Sequence, residues 1–106
     1  MTNRLLKELP KYCFSCCNQL EEIIIPFGIT KLGDYCFSGC SNLSKITLPS
    51  SVAEIGKGCF RECKGLKSIK LPTTITSFGK GCFHESGIKQ EEYPNLPKHC
   101  WEPPRE

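Results

Sequence analysis

The chain repeats itself every 23 residues, and that period constrains its fold more than any other feature. Cys36-Phe37, Cys40, Leu43, Ile46, Leu48 and Pro49 return as Cys59-Phe60, Cys63, Leu66, Ile69, Leu71 and Pro72. The same set stands one period earlier as Cys13-Phe14, Cys17, Leu20, Ile23, Ile25 and Pro26, and a further copy opens at Cys82-Phe83. Self-similarity at such a period is the mark of a stacked repeat array, in which each unit buries its apolar face only against its neighbours. The inward set of one coil, such as Leu20, Ile23, Ile25, Ile29, Leu32, Cys36 and Phe37, is too small to offset the ordering of its own 23 residues. The coils therefore fold together or not at all.

Read in order, the coils span 3–25, 26–48, 49–71 and 72–93, followed by a partial cap over 94–101 and a tail over 102–106 expected to be disordered. Leu-x-x-Ile-x-Leu is the better strand candidate, because its end alternates with period two and is rich in β-branched residues. The pieces ending at Leu32, Ile55 and Phe78 are expected to form a second short extended segment on the opposite side of the coil. Pro26, Pro49 and Pro72 end the first segment, since proline cannot donate to a ladder. Gly33, Gly56 and Gly79 suit a corner with unusual dihedrals. The last coil loses one residue after Ser86, which brings Ile88 to an inward position and puts Glu91 where Ile69 stands one coil earlier. A carboxylate there predicts that the array ends and opens to solvent. Leu96-Pro97-Lys98-His99-Cys100-Trp101 echoes Leu9-Pro10-Lys11-Tyr12-Cys13-Phe14, so Trp101 is expected to close the end of the core.

Nine cysteines in 106 residues raise the prospect of a disulfide scaffold. Their spacing argues for buried free thiols instead. Cys13, Cys36, Cys59 and Cys82 form one column; Cys17, Cys40 and Cys63 form a second that Ser86 continues. A position filled by either Cys or Ser asks for a small side chain, and side chains in register on parallel coils point the same way. Cys16 replaces surface residues of later coils, so it is expected to be exposed. Cys13 and Cys16 form a C-x-x-C, but no second one completes a zinc site.

A formal net charge of +3 is too small to imply nucleic acid, and the aromatics that would stack on bases occupy the inward column. No run reaches the roughly 18 apolar residues of a membrane span. No nucleophile–base arrangement or phosphate-binding glycine loop is present, and His84 and His99 fall in a turn and in the tail. Neither a catalytic role nor a cofactor is expected.

Pro-x-x-[Val/Ile]-x-x-[Leu/Ile/Phe]-Gly-x-x-Cys-Phe-x-x-Cys-x-x-Leu-x-x-Ile-x-Leu resembles the BspA-like (Treponema-type) leucine-rich repeat family over roughly residues 3–94. The resemblance implies a mainly β, right-handed solenoid of about four 23-residue coils, with parallel strands on the concave face. It also implies cell-surface binding to host or matrix proteins. The absence of an apolar leader and the thiol columns point instead to an intracellular scaffold or interaction repeat, or to a piece of a longer array. In such a coil the spacers of Leu-x-x-Ile-x-Leu face outward. Lys45, Lys67, Lys70 and Lys89 then form a basic middle that includes the outward Thr47, flanked by the acidic residues Glu21, Glu22 and Glu92. The expectation is a monomer, with end-to-end association possible through its ends, that docks a protein partner, acidic or from the matrix, on these residues.

Overall fold

The alternating segments fold as short parallel strands, and the repeat period stacks them in register. The computed structural model describes residues 6–104. Among the described residues are six strands: β1 (Glu8–Leu9), β2 (Glu22–Ile24), β3 (Lys31–Leu32), β4 (Lys45–Thr47), β5 (Glu54–Ile55) and β6 (Ser77–Phe78). They form two sheets, β1-β3-β5-β6 and β2-β4, and every pairing is parallel. Leu9, Leu32, Ile55 and Phe78 lie opposite one another in the first sheet; Ile23 lies opposite Ile46 in the second. Residues 3–5 of the first coil lie outside the described residues.

The two segments exchange the roles expected of them. The piece expected to be secondary pairs across four coils, whereas Leu-x-x-Ile-x-Leu pairs only between the first two. The glycines explain the tighter side. A Cβ on Gly56 would sit 2.7 Å from the Asp34 backbone nitrogen, and one on Gly79 would overlap that of Lys57. These glycines therefore permit close approach between coils. They are not where the backbone takes the unusual dihedrals expected of them, because the positive-φ corners lie elsewhere. Tyr12, Tyr35, Gly58 and Gly81 occupy one column with φ of 58–69°, and Cys16, Gly39, Glu62 and Glu85 another with φ of 56–78°. Non-glycine residues in that region cost on the order of 1–2 kcal/mol each. The ladder of backbone bonds running through both corners offsets this.

That ladder is a third paired side of the coil. Phe14, Phe37, Phe60 and Phe83 donate their N–H groups to the carbonyls of Cys36, Cys59, Cys82 and Cys100, at 2.8–2.9 Å. Inside it the phenyl rings stack in one column. Phe14, Phe37, Phe60 and Phe83 have centroids 5.3–5.7 Å apart and are within 9° of parallel. Trp101 continues the column, 5.5 Å from Phe83 and tilted by 33°. Spacings in this range suit offset aromatic contacts.

All nine cysteines are free. Cys36, Cys40, Cys59, Cys63, Cys82 and Cys100 are buried, while Cys13 and Cys16 are exposed and Cys17 is half-buried. Burial thus fails at the first coil, which lacks a neighbour on one side. The second column does more than fill space: Cys40 and Cys63 donate S–H to the carbonyls of Phe14 and Phe37, each at 3.0 Å. Burial, followed by the neighbouring thiol of the preceding coil, pushes Cys36 and Cys63 up to about 12. Cys82 rests against Cys100; the hydrogen bond between the two thiols, then burial, holds the Cys82 proton in place.

Residues 102–104, expected to be disordered, lie along the left-handed corner instead. Pro104 is buried and its carbonyl accepts a 2.8 Å hydrogen bond from the Tyr35 hydroxyl. A Cβ on Gly81 would meet the Glu102 carbonyl and Pro104 at 2.6 Å, so that glycine makes room for the tail. Residues 105 and 106 lie outside the described residues.

Candidate interaction surface

The strand alternation of Leu-x-x-Ile-x-Leu turns Ile46 and Ile69 inward, where each is 6% exposed, and leaves their neighbours in solvent. Lys45, Thr47, Lys67, Lys70 and Lys89 are all exposed. They do not form one even patch. Lys45, Thr47 and Lys70 line a single groove of about 830 Å³, with residues 44–48 and 50 on one bank and 68–73 on the other. Lys67 and Lys89 are outside its lining; Lys89 precedes the short 3-10 helix Gln90–Glu92, which replaces a fourth strand on this face.

The groove exists because β4 has no partner on its later side. Lys45 donates its N–H to Glu21, and Thr47 accepts from Ile25, so both turn their backbone toward β2. No backbone hydrogen bond joins residues 44–50 to 68–73 among the described residues. The second bank is tied in the opposite direction: Ile69 donates its N–H to the Tyr93 hydroxyl at 3.0 Å, and that hydroxyl donates to the Ile69 carbonyl at 3.2 Å.

Ile24, an outward spacer of the same pattern, is 77% exposed and lies opposite Thr47; Phe27, which the alternation does not reach, is 79% exposed. The signal for Phe27 is an aromatic at a spacer position that later coils fill with Ser50 and Thr73, both on the groove. Ser44 and Ser68, outward spacers of the pattern, line the groove together with Ser50 and Thr73, which lie beyond it in the sequence.

The histidines hold backbone elsewhere. His99 Nε2 lies 2.7 Å from the Phe78 carbonyl and His84 Nδ1 lies 3.3 Å from that of Trp101, so each of these nitrogens is a donor. Cys100 is buried while His99 is exposed, and the two side chains diverge. A second depression, of about 460 Å³, lies over Tyr35, Arg61, His84 and Pro104 on the corner side.

Stacked parallel coils with a period of 23 residues and an inward Leu, Ile and Phe set define a leucine-rich repeat protein. The chain belongs to the BspA type leucine rich repeat region family, whose model matches residues 2–100 in six copies. It is similar to the crystal structure of the T. pallidum leucine rich repeat protein, with a TM-score of 0.74 and 27% identity over 76% of this chain and 38% of that one. A leucine-rich repeat protein from Bacteroides ovatus gives 0.74 and 35% identity, over 77% of this chain and 21% of that one. A leucine rich cell surface protein from Faecalibacterium prausnitzii gives 0.71 and 30%, over 79% and 24%. The chain thus spans well under half the length of these structures. No curated protein matches it. Proteins of this repeat class generally serve as protein-interaction modules.

Proposed function

We propose that the chain is a non-catalytic protein-binding module whose partner docks on the Leu-x-x-Ile-x-Leu face through Lys45, Thr47, Lys67, Lys70 and Lys89. This reading takes that face as the concave side of a right-handed solenoid of about four coils. The observation that carries it is the convergence of Lys45, Thr47 and Lys70 on one groove, beside the exposed Ile24 and Phe27. Exposed apolar side chains rimmed by polar ones are the usual composition of a docking site, and a basic groove speeds the approach of an acidic partner. The similarity to a cell surface protein supports a surface location, where such a module would act as an adhesin for a host or matrix protein. The six buried free thiols support a second reading, an intracellular interaction repeat using the same face in a reducing compartment.

Capture from cell-surface and cytosolic extracts separates these readings. The baits are the wild type and a Lys45→Glu/Lys67→Glu/Lys70→Glu variant checked for folding by circular dichroism. The expected result is a partner retained by the wild type and lost by the variant, with its source fraction deciding between adhesin and scaffold. Identical captures by both baits, or none by either, would remove the lysine face from consideration.

A further inference from the structure

We propose that the corner side of the coil docks a proline-rich segment of a partner protein, in polyproline II form, in the depression bounded by Tyr12, Tyr35 and the chain's own tail. This surface is separate from the lysine groove and goes beyond the docking reading above.

The backbone of the corner supplies the first argument. Positions 12, 35, 58 and 81 share one left-handed column, and Gly58 and Gly81 fill it without strain. The turn therefore does not require tyrosine at 12 and 35, and the cost of placing it there points to a use for the side chains. The two glycines make room for what lies on the column: a Cβ on Gly58 would run into the Tyr35 ring, and one on Gly81 into Pro104. The rings of Tyr12 and Tyr35 stack 5.3 Å apart, within 8° of parallel. Tyr12, Tyr35 and Pro104 thus form one apolar strip running from coil to coil.

The tail shows what the strip holds. Glu102 has φ −83° and ψ 158°, in the polyproline II region, and Pro104 confines Pro103 to the same region. The Pro104 carbonyl accepts the Tyr35 hydroxyl at 2.8 Å. Aromatic-lined grooves take proline-rich segments, and polyproline II makes no internal hydrogen bonds, so its carbonyls are left for the donors of the groove. Tyr12 repeats the arrangement one coil earlier. It is 59% exposed, and its hydroxyl has no hydrogen-bond partner among the described residues.

The depression beside the strip measures about 460 Å³ with the tail in place, within the roughly 300–1,000 Å³ of ligand sites. It touches all four coils, from Cys16 to His84. At coil spacings of 5.3–5.7 Å that length is on the order of 16 Å, or about five residues of polyproline II. Arg61 lines it, with Nη1 donating to Ser38 Oγ at 3.2 Å and Nη2 lying 3.1 Å from Glu62, which fixes the guanidinium and leaves it N–H donors to spare. Among the described residues no carboxylate lines the depression. Donors without carboxylates suit a chain whose carbonyls are free and whose N–H groups are mostly absent.

The test is an NMR titration of the full chain with acetylated, amidated hexaproline, beside a Gly-Ser hexapeptide. Docking predicts saturable shifts centred on the amides of Tyr12, Ser15, Cys16 and Arg61 with hexaproline, and none with the Gly-Ser peptide. It predicts at least a tenfold loss of affinity in Tyr12→Ala, checked for folding by circular dichroism, and a smaller loss in Tyr12→Phe, which keeps the ring. Hexaproline should also slow alkylation of Cys16, which lines the depression, relative to that of Cys13, which is exposed outside its lining. Absence of saturable shifts, or equal affinity in Tyr12→Ala, overturns the proposal. Equal shifts with the Gly-Ser peptide overturn the polyproline specificity. Shifts centred on Ile46 and Lys70 put the peptide on the lysine face and overturn the site. Self-association without peptide, abolished by Tyr12→Ala, identifies the tail of a second copy as the occupant and overturns the partner assignment.

Discussion

The two strand-bearing sides of the coil have the same period and different fates. On the side of β1, β3, β5 and β6, glycines let the coils approach closely and four strands pair. On the Leu-x-x-Ile-x-Leu side the spacers are lysines, the last coil is one residue short, and pairing stops after β2 and β4. A repeat thus sets the spacing of coils, but each position between the inward residues decides whether neighbouring backbones close. The closed side joins all four coils; the open side leaves its lysines in solvent.

The largest effect is expected from alkali, which attacks the core that both sides share. Folded Cys36 and Cys63 hold their protons to about 12, whereas an unfolded thiol gives up its proton near 9.0. Above 9.0 the unfolded chain therefore binds fewer protons, and stability falls as pH rises. Each thiol contributes a slope of up to ~1.4 kcal/mol per pH unit between those values. Urea denaturation at pH 8, 9.5 and 11 should show a steep loss, and a flat profile would mean that the thiols are solvated.

Gly56→Ala makes the closed side resemble the open one. Its Cβ meets backbone of the preceding coil at 2.7 Å, so the coils must part, at a cost of about 3 kcal/mol. Gly28→Ala is the control: it has open space but a φ of 109°, and the cost should be conformational only, about 1 kcal/mol. Thermal melts of the two variants check the ordering. Tyr93→Phe sharpens the comparison from the other side. It removes the hydroxyl that holds Ile69, should cost about 1 kcal/mol, and should speed exchange of the Ile69 amide with little change at Gly56.

Much of the fold was legible because the inward positions recur. The Phe column, the buried thiols from Cys36 onward, the exposed Cys16 and the position of Trp101 all follow from the period. The roles of the glycines were not legible. Close approach and a left-handed φ both call for glycine, and only the structure separates Gly56 from Gly58. The left-handed corners were hidden because Tyr12, Tyr35, Glu62 and Glu85 occupy them without glycine. At the surface, exposure of the five spacer residues was legible from alternation. Their division by a groove was not, because it depends on how Tyr93, displaced by a one-residue deletion, meets Ile69. The tail's order was not legible because a chain end is expected to be loose unless tied down, and here Gly81 provides the space and Tyr35 the hydrogen bond.

Amide hydrogen exchange of the free protein, resolved by NMR, tests the difference between the two sides most directly. Gly33, Gly56 and Gly79 donate across the closed side at 2.7–2.8 Å and should exchange only through global opening. The amides of Ile46, Ser68 and Lys70 should exchange at least a hundredfold faster. Equal protection of the two sets would mean that the Leu-x-x-Ile-x-Leu sheet is closed, and would contradict the account.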